Sequence, residues 1–113
     1  MSESFINQEE YINFIRNRIS ELRLQKNVSK YQMSYDLGKS KGYIQSISSG
    51  ANLPSMEAFL DICNYFNITP IEFFDKDIHN PNILKEITNV IKNMPQKDLS
   101  LLLEVLKRYN EKR

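Results

Sequence analysis

Glycine and proline are scarce, at three and four residues. A chain so poor in turn formers cannot supply the many tight turns of an all-β fold. The single cysteine, Cys63, has no second thiol to pair with, which fits a reducing cytoplasm. The single histidine, His79, excludes a His-based metal cluster. No apolar run approaches the length that spans a bilayer, and the N-terminus lacks the basic segment and apolar run of a signal peptide. No glycine-rich loop is present to cradle phosphate, and no Ser–His–Asp or Cys–His set can be assembled. An enzyme is therefore not expected, nor are a cofactor, a bound metal or a small-molecule ligand. Asp75, Asp77, His79 and Glu86 fall at the first, third, fifth and twelfth positions of a calcium loop, but the required sixth-position glycine is Asn80, and Pro81 follows.

What is present is a soluble-protein composition in 113 residues, enough for one compact domain or a small domain with an appendage. The net charge of +1 hides an asymmetry. Between Arg16 and Lys41 lie Arg16, Arg18, Arg23, Lys26, Lys30, Lys39 and Lys41 against only Glu21 and Asp36, and the rest of the chain is net acidic. A local basic surface of this kind suits a polyanion.

The helix signals are frequent and ordered. Asn7 with Glu10 reads as a capping box, with Ile6 and Tyr11 as a hydrophobic staple, and Ile12, Ile15, Ile19 and Leu22 recur at helical spacing. The first helix is expected over about 8–26, preceded by a flexible tail from Ser2 to Phe5. Ser29 with Gln32 is a second capping box, opening a short helix with Met33 and Leu37 inward and Gly38 as its left-handed stop. Ser40 is placed to cap a third helix, with Ile44 and Ile47 inward and Gly50 as its end. Pro54-Ser55 opens a fourth, expected to bury Met56, Phe59, Leu60, Ile62, Cys63 and Phe66. Thr69-Pro70-Ile71-Glu72 opens a fifth, near 70–74, combining a cap, an N1 proline and a capping box. Phe59, Phe66, Phe73 and Phe74 fit the core, and Cys63 reads as a small core residue. Residues 75–80 read as a linker. Asn80-Pro81 opens a sixth helix, with Leu84, Ile87, Ile91 and Met94 on one stripe, and a seventh runs over about 96–110. The fold class is all-α.

Residues 29–48 resemble the helix-turn-helix of the Cro- and phage-repressor-type (XRE-like) transcriptional regulators, and the resemblance extends from about Arg16 to Asp75. It is carried by Ser29, Met33, Leu37, Gly38, Ser40, Ile44, Ile47 and Gly50 in order, by Pro54-Ser55-Met56-Glu57, and by the segment from Ile68 to Phe74. It implies a five-helix repressor-type DNA-binding domain over 1–75, followed by a two-helix appendage over 80–113. It also implies that the third helix, about 41–48, enters the major groove of double-stranded DNA. The base-reading positions are then Ser40, Lys41, Gly42, Gln45 and Ser46. Lys41 can donate to guanine O6 and N7, and Gln45 can pair with adenine N6 and N7. Gly42 offers no side chain but permits close backbone approach. The phosphate contacts are Arg23, Ser29, Lys30, Lys39, Tyr43, Ser49 and Asn52, with Tyr43 either covering the core edge or stacking on a sugar.

The departures from that family carry their own expectations. Lys30 stands where glutamine is common, and Lys39 where an apolar residue is common. Ser48 stands where many members place a glutamate that pairs with a first-helix arginine. Arg23 would then be free to contact phosphate.

The seventh helix carries Leu99, Leu101, Leu102, Leu103, Val105, Leu106 and Tyr109, more apolar side chains than one face needs. Either it is deeply buried within its own domain or it pairs with another chain. A homodimer through Leu99, Leu102, Leu103, Leu106 and Tyr109 is expected, with two recognition helices roughly 34 Å apart on a near-palindromic site. The expected function is a sequence-specific transcriptional regulator, a dimeric repressor. The alternative is a protein–protein adaptor or antitoxin-like protein that retains the fold.

Overall fold

The structure, a computed structural model, describes residues 7–112. Its helices are α1 (Gln8–Lys26), α2 (Lys30–Asp36), α3 (Tyr43–Ser48), α4 (Met56–Tyr65), α5 (Pro70–Phe74), α6 (Pro81–Ile91) and α7 (Gln96–Glu111). No strand occurs among the described residues. The chain divides into two compact units, one ending at Pro81 and the other beginning at Asn82.

Local chemistry sets the boundaries of the first unit. Asn7 Oδ1 accepts from the Glu10 amide at 3.1 Å, and Ser29 Oγ from the Gln32 amide at 2.9 Å. Ser55 Oγ accepts from the Ala58 amide at 3.1 Å. Thr69 and Glu72 form a reciprocal capping box at α5. The boxes read from sequence at α1 and α2 are half made, because Glu10 reaches Lys76 at 3.5 Å and Gln32 donates to Asp36 at 2.7 Å. The Ile6 staple and the Ser2–Phe5 tail lie outside the described residues. Helices α1 to α4 share one ending, with a left-handed residue just past the last turn: Asn27, Gly38, Gly50 and Asn67. At α2 the Gly38 amide donates to Tyr35 O and the Lys39 amide to Ser34 O, the paired bonds of a Schellman motif.

The core unites α1 (Ile19, Leu22), α2 (Met33), α3 (Ile44, Ile47), α4 (Phe59, Ile62, Cys63), Phe66, Ile68 and α5 (Phe73). Phe73 is fully enclosed and meets Phe59 edge-on at 4.9 Å. Leu37 is half-buried against this core. Two residues assigned inward on α4 point the other way: Met56 is 76 % exposed and Leu60 49 %. Helix α4 has only one inward side, which Ala58, Phe59, Ile62 and Cys63 fill. Phe74 sits at the core edge, stacked on Phe14 at 6.0 Å.

The largest departure from the sequence reading concerns Arg18. Counted there as surface charge, it is buried. Its Nε donates to Phe73 O at 2.9 Å, and its Nη2 to Glu72 O and Ile78 O, each at 2.8 Å. Its Nη1 serves Glu21 Oε1 at 2.6 Å and His79 O at 3.3 Å. Five donor bonds use the whole guanidinium fork. Gln25 adds a bond to His79 O at 2.7 Å. Residues 75–80 are thus held to α1 rather than forming a loose linker. His79 is exposed, with Nδ1 3.1 Å from Glu21 Oε2.

The second unit contains α7 and nearly all of α6. No α7 residue is buried, which removes deep burial within its own domain as the explanation of its apolar excess. Leu99 and Leu102 are half-buried, whereas Leu101, Leu103, Val105, Leu106 and Tyr109 are exposed. On α6 the same holds for Ile83, Leu84, Ile87 and Val90. No helix of the described residues is long and apolar enough to cross a membrane.

Candidate nucleic-acid interface

Helix α3 has only six residues, too few to persist alone, since helices this short are unstable in water. It is held at both ends by other helices. Its N-cap is Gly42, which has no side chain to offer, and helical geometry begins at Tyr43. Ser40 therefore does not cap α3 through its hydroxyl; only its carbonyl takes part, accepting from the Tyr43 amide at 3.0 Å. The cap comes from α2 instead. Ser34, fully buried, accepts from the Ile44 amide at 3.1 Å and donates to Lys30 O at 2.8 Å. At the other end, Arg16 Nε donates to Ile47 O at 3.2 Å and Nη2 to Gly50 O at 3.3 Å. A guanidinium there also opposes the negative end of the helix dipole.

The three arginines of the basic stretch are thus all occupied by carbonyls of the fold. Arg16 closes α3 and Arg18 anchors residues 72–79. Arg23 Nη1 donates to Val28 O at 2.8 Å, while its buried Nε has no partner. The expectation that Arg23 is free is corrected: its side chain is half-buried and braces the turn between α1 and α2. The lysines point outward. Lys39 and Lys41 are exposed, and Lys30 is half-exposed. This division follows from their heads, a planar fork with several donors against a strongly hydrated point charge.

Around α3 the structure brings several sequence-selected residues together. Lys30 Nζ donates to Gln45 Oε1 at 2.9 Å, across fifteen positions of sequence. Lys39 Nζ lies 5.3 Å from the Tyr43 ring centroid. Tyr43 packs on the core edge, and burial, then the nearby Asp61 charge, raise its pKa above the ordinary 10.0. Ser46 is half-buried, its hydroxyl donating to Tyr43 O at 2.8 Å and accepting from Asn52 Nδ2 at 3.1 Å. Ser49 Oγ donates to Ser46 O at 3.2 Å. Ser46, Ser49 and Asn52 therefore shape the loop after α3. Ser40, Lys41, Gly42 and Gln45 are exposed. A Cβ built on Gly42 meets nothing within 4 Å. Ser29 keeps its hydroxyl proton, since its oxygen accepts at the α2 cap.

Three positioning residues escaped sequence reasoning: Arg16, Arg18 and Ser34. The first two were visible only as charge, and Ser34 gave no signal. Cys63 is a buried core thiol whose pKa burial pushes up to about 11. Among the described residues no group of three or more His, Cys, Asp or Glu side chains could hold a metal ion.

Residues 19–73 match a family model described as helix-turn-helix. That range runs from the middle of α1 to the penultimate residue of α5 and takes in every core element named above. Neither the search of curated proteins nor that of solved structures returned a match.

Proposed function

We propose, from the premise that residues 19–73 belong to the helix-turn-helix family of Cro/C1-type DNA-binding regulators, that this protein is a sequence-specific, dimeric transcriptional repressor. The carrying observation is the way α3 is held. Ser34 and Arg16 fix both ends, so the helix meets a duplex already shaped for the major groove and loses little entropy on binding. Lys41 and Gln45 present base-directed groups from the turn before this helix and from the helix itself, Gly42 permits close backbone approach, and Lys30 and Lys39 add phosphate attraction.

The dimer is supported by the second unit. Nine large apolar residues of α6 and α7 are exposed there. A second copy offers the same apolar surface and closes by two-fold symmetry. Leu103, Leu106 and Tyr109 would form its exposed part, and Leu99 and Leu102 the half-buried part.

The test is selection of bound duplexes from a random pool at physiological salt, comparing wild type with Lys41→Ala/Gln45→Ala, alongside sedimentation of wild type and Leu103→Glu/Leu106→Glu. A near-palindromic motif lost by the first variant, and a dimer lost by the second, are expected. A folded wild type that enriches no motif refutes the regulator and leaves the protein–protein adaptor. A wild-type monomer at micromolar concentration refutes the dimer.

A further inference from the structure

The pairing of Lys30 with Gln45 fixes which half of the Gln45 amide remains available to a base. An ammonium has donors only. The Gln45 atom that faces it at 2.9 Å must be the carbonyl oxygen. The amide NH2 is then the free end, carried on an exposed side chain of α3. The second lone pair of the oxygen remains, but the ammonium beside it makes it a poorer acceptor for a base amino group. Lys30 itself keeps two further N–H donors beside Gln45. The pair therefore presents donors in preference to an acceptor.

We propose that Lys30 and Gln45 act as one donor head that selects guanine, with Lys30 setting specificity by orienting Gln45. This rests on the reading of α3 as a major-groove helix. Guanine exposes two adjacent acceptors, O6 and N7, in that groove. Adenine offers N7 beside an amino group, and cytosine offers an amino group. The Gln45–adenine contact expected from sequence would have to share the oxygen to which Lys30 donates. Lys30 is thus a positioning residue as well as a phosphate contact.

The experiment selects duplexes with wild type, Lys30→Met and Gln45→Ala. Fluorescence anisotropy then measures the best wild-type site and the same site carrying a guanine-to-adenine change. Methionine keeps the length of the lysine stem and removes the ammonium, and circular dichroism checks that each variant is folded. Wild type is expected to prefer guanine at one position per half-site, by roughly 5- to 150-fold. Lys30→Met releases the amide oxygen, and the preference at that position falls below about threefold or turns to adenine. Gln45→Ala loses discrimination there and keeps it elsewhere. If Lys30→Met weakens both sites equally and keeps the guanine preference, Lys30 acts on phosphate alone and the proposal is wrong. A wild-type preference for adenine at the position that Gln45→Ala disturbs is equally fatal. If wild type selects no motif at all, the regulator reading falls first and this one with it.

Discussion

Replacing Ser34 by alanine removes a single oxygen, yet its consequences fall on α3. Ser34 and Ile44 are both buried, so no water replaces the lost acceptor and the Ile44 amide is left unpartnered. Leaving such a donor unsatisfied costs about 1–3 kcal/mol. The bond from Ser34 to Lys30 O adds little, because a serine hydroxyl that bonds back to its own helix is not a stabilising contact. The expected loss is therefore about 2 kcal/mol, or roughly 8–16 °C in melting temperature for a unit of this size. Urea titration by circular dichroism reads the total, with an unchanged m-value showing that the unfolding transition is the same. Amide exchange reads the place, as the Ile44 amide should lose protection before those of α1 and α4. The control is Ser40→Ala. A serine that capped α3 would cost about 1 kcal/mol when removed, whereas the observed Ser40 contributes only its carbonyl and should change little. If Ser40→Ala proves as costly as Ser34→Ala, the account of how α3 is capped is wrong.

Other outcomes follow from single contacts. Arg18→Met should cost about 3–5 kcal/mol, as loss of a buried, fully bonded charge leaves its partners stranded, and proteolysis should then cut within 75–80; persistence of protection there would contradict the anchoring role. Gly42→Ser should leave stability within about 0.5 kcal/mol, since its backbone is unstrained and its surroundings open. The same change should weaken DNA binding several-fold if the duplex backbone packs there, so unchanged affinity would remove Gly42 from the interface. Burial raises the Cys63 thiol from 9.0 to about 11, which favours the neutral form in the fold. That contribution is complete below pH 9 and lost as pH rises towards about 11. Cys63→Ala, less stable at neutral pH, should lose less over that range, and an equal loss would mean that Cys63 is not the titrating group.

Features controlled by neighbouring residues were legible in the sequence. The starts of α1 and α5 follow from the Asn7 cap and from Thr69-Pro70 with Glu72, because caps and N1 prolines act within one turn. Features controlled across helices were not. The start of α3 was misplaced because a cap was sought just before it, while its acceptor sits ten residues upstream on α2. Counting charges could not separate Arg18, enclosed by carbonyls, from Lys41, exposed to solvent. Periodicity overfilled α4, whose apolar residues Met56 and Leu60 exceed one inward face. At the candidate site the outward placement of Lys41, Gly42 and Gln45 was legible, but the bond from Lys30 to Gln45 was not, since only the crossing of α2 and α3 brings them together.

The bracing of α3 from outside also bears on how such a protein changes over time. A helix that owes its shape to its own caps and side-chain pairs cannot be rewritten freely, because each exchange risks the helix. Here the obligations rest on Ser34, Arg16 and the two inward isoleucines, Ile44 and Ile47. The outward side chains at 41 and 45 carry none of them, and position 42 contributes only backbone. If α3 reads DNA as proposed, new recognition can accumulate there by single substitutions, each tested for binding without first being filtered for folding.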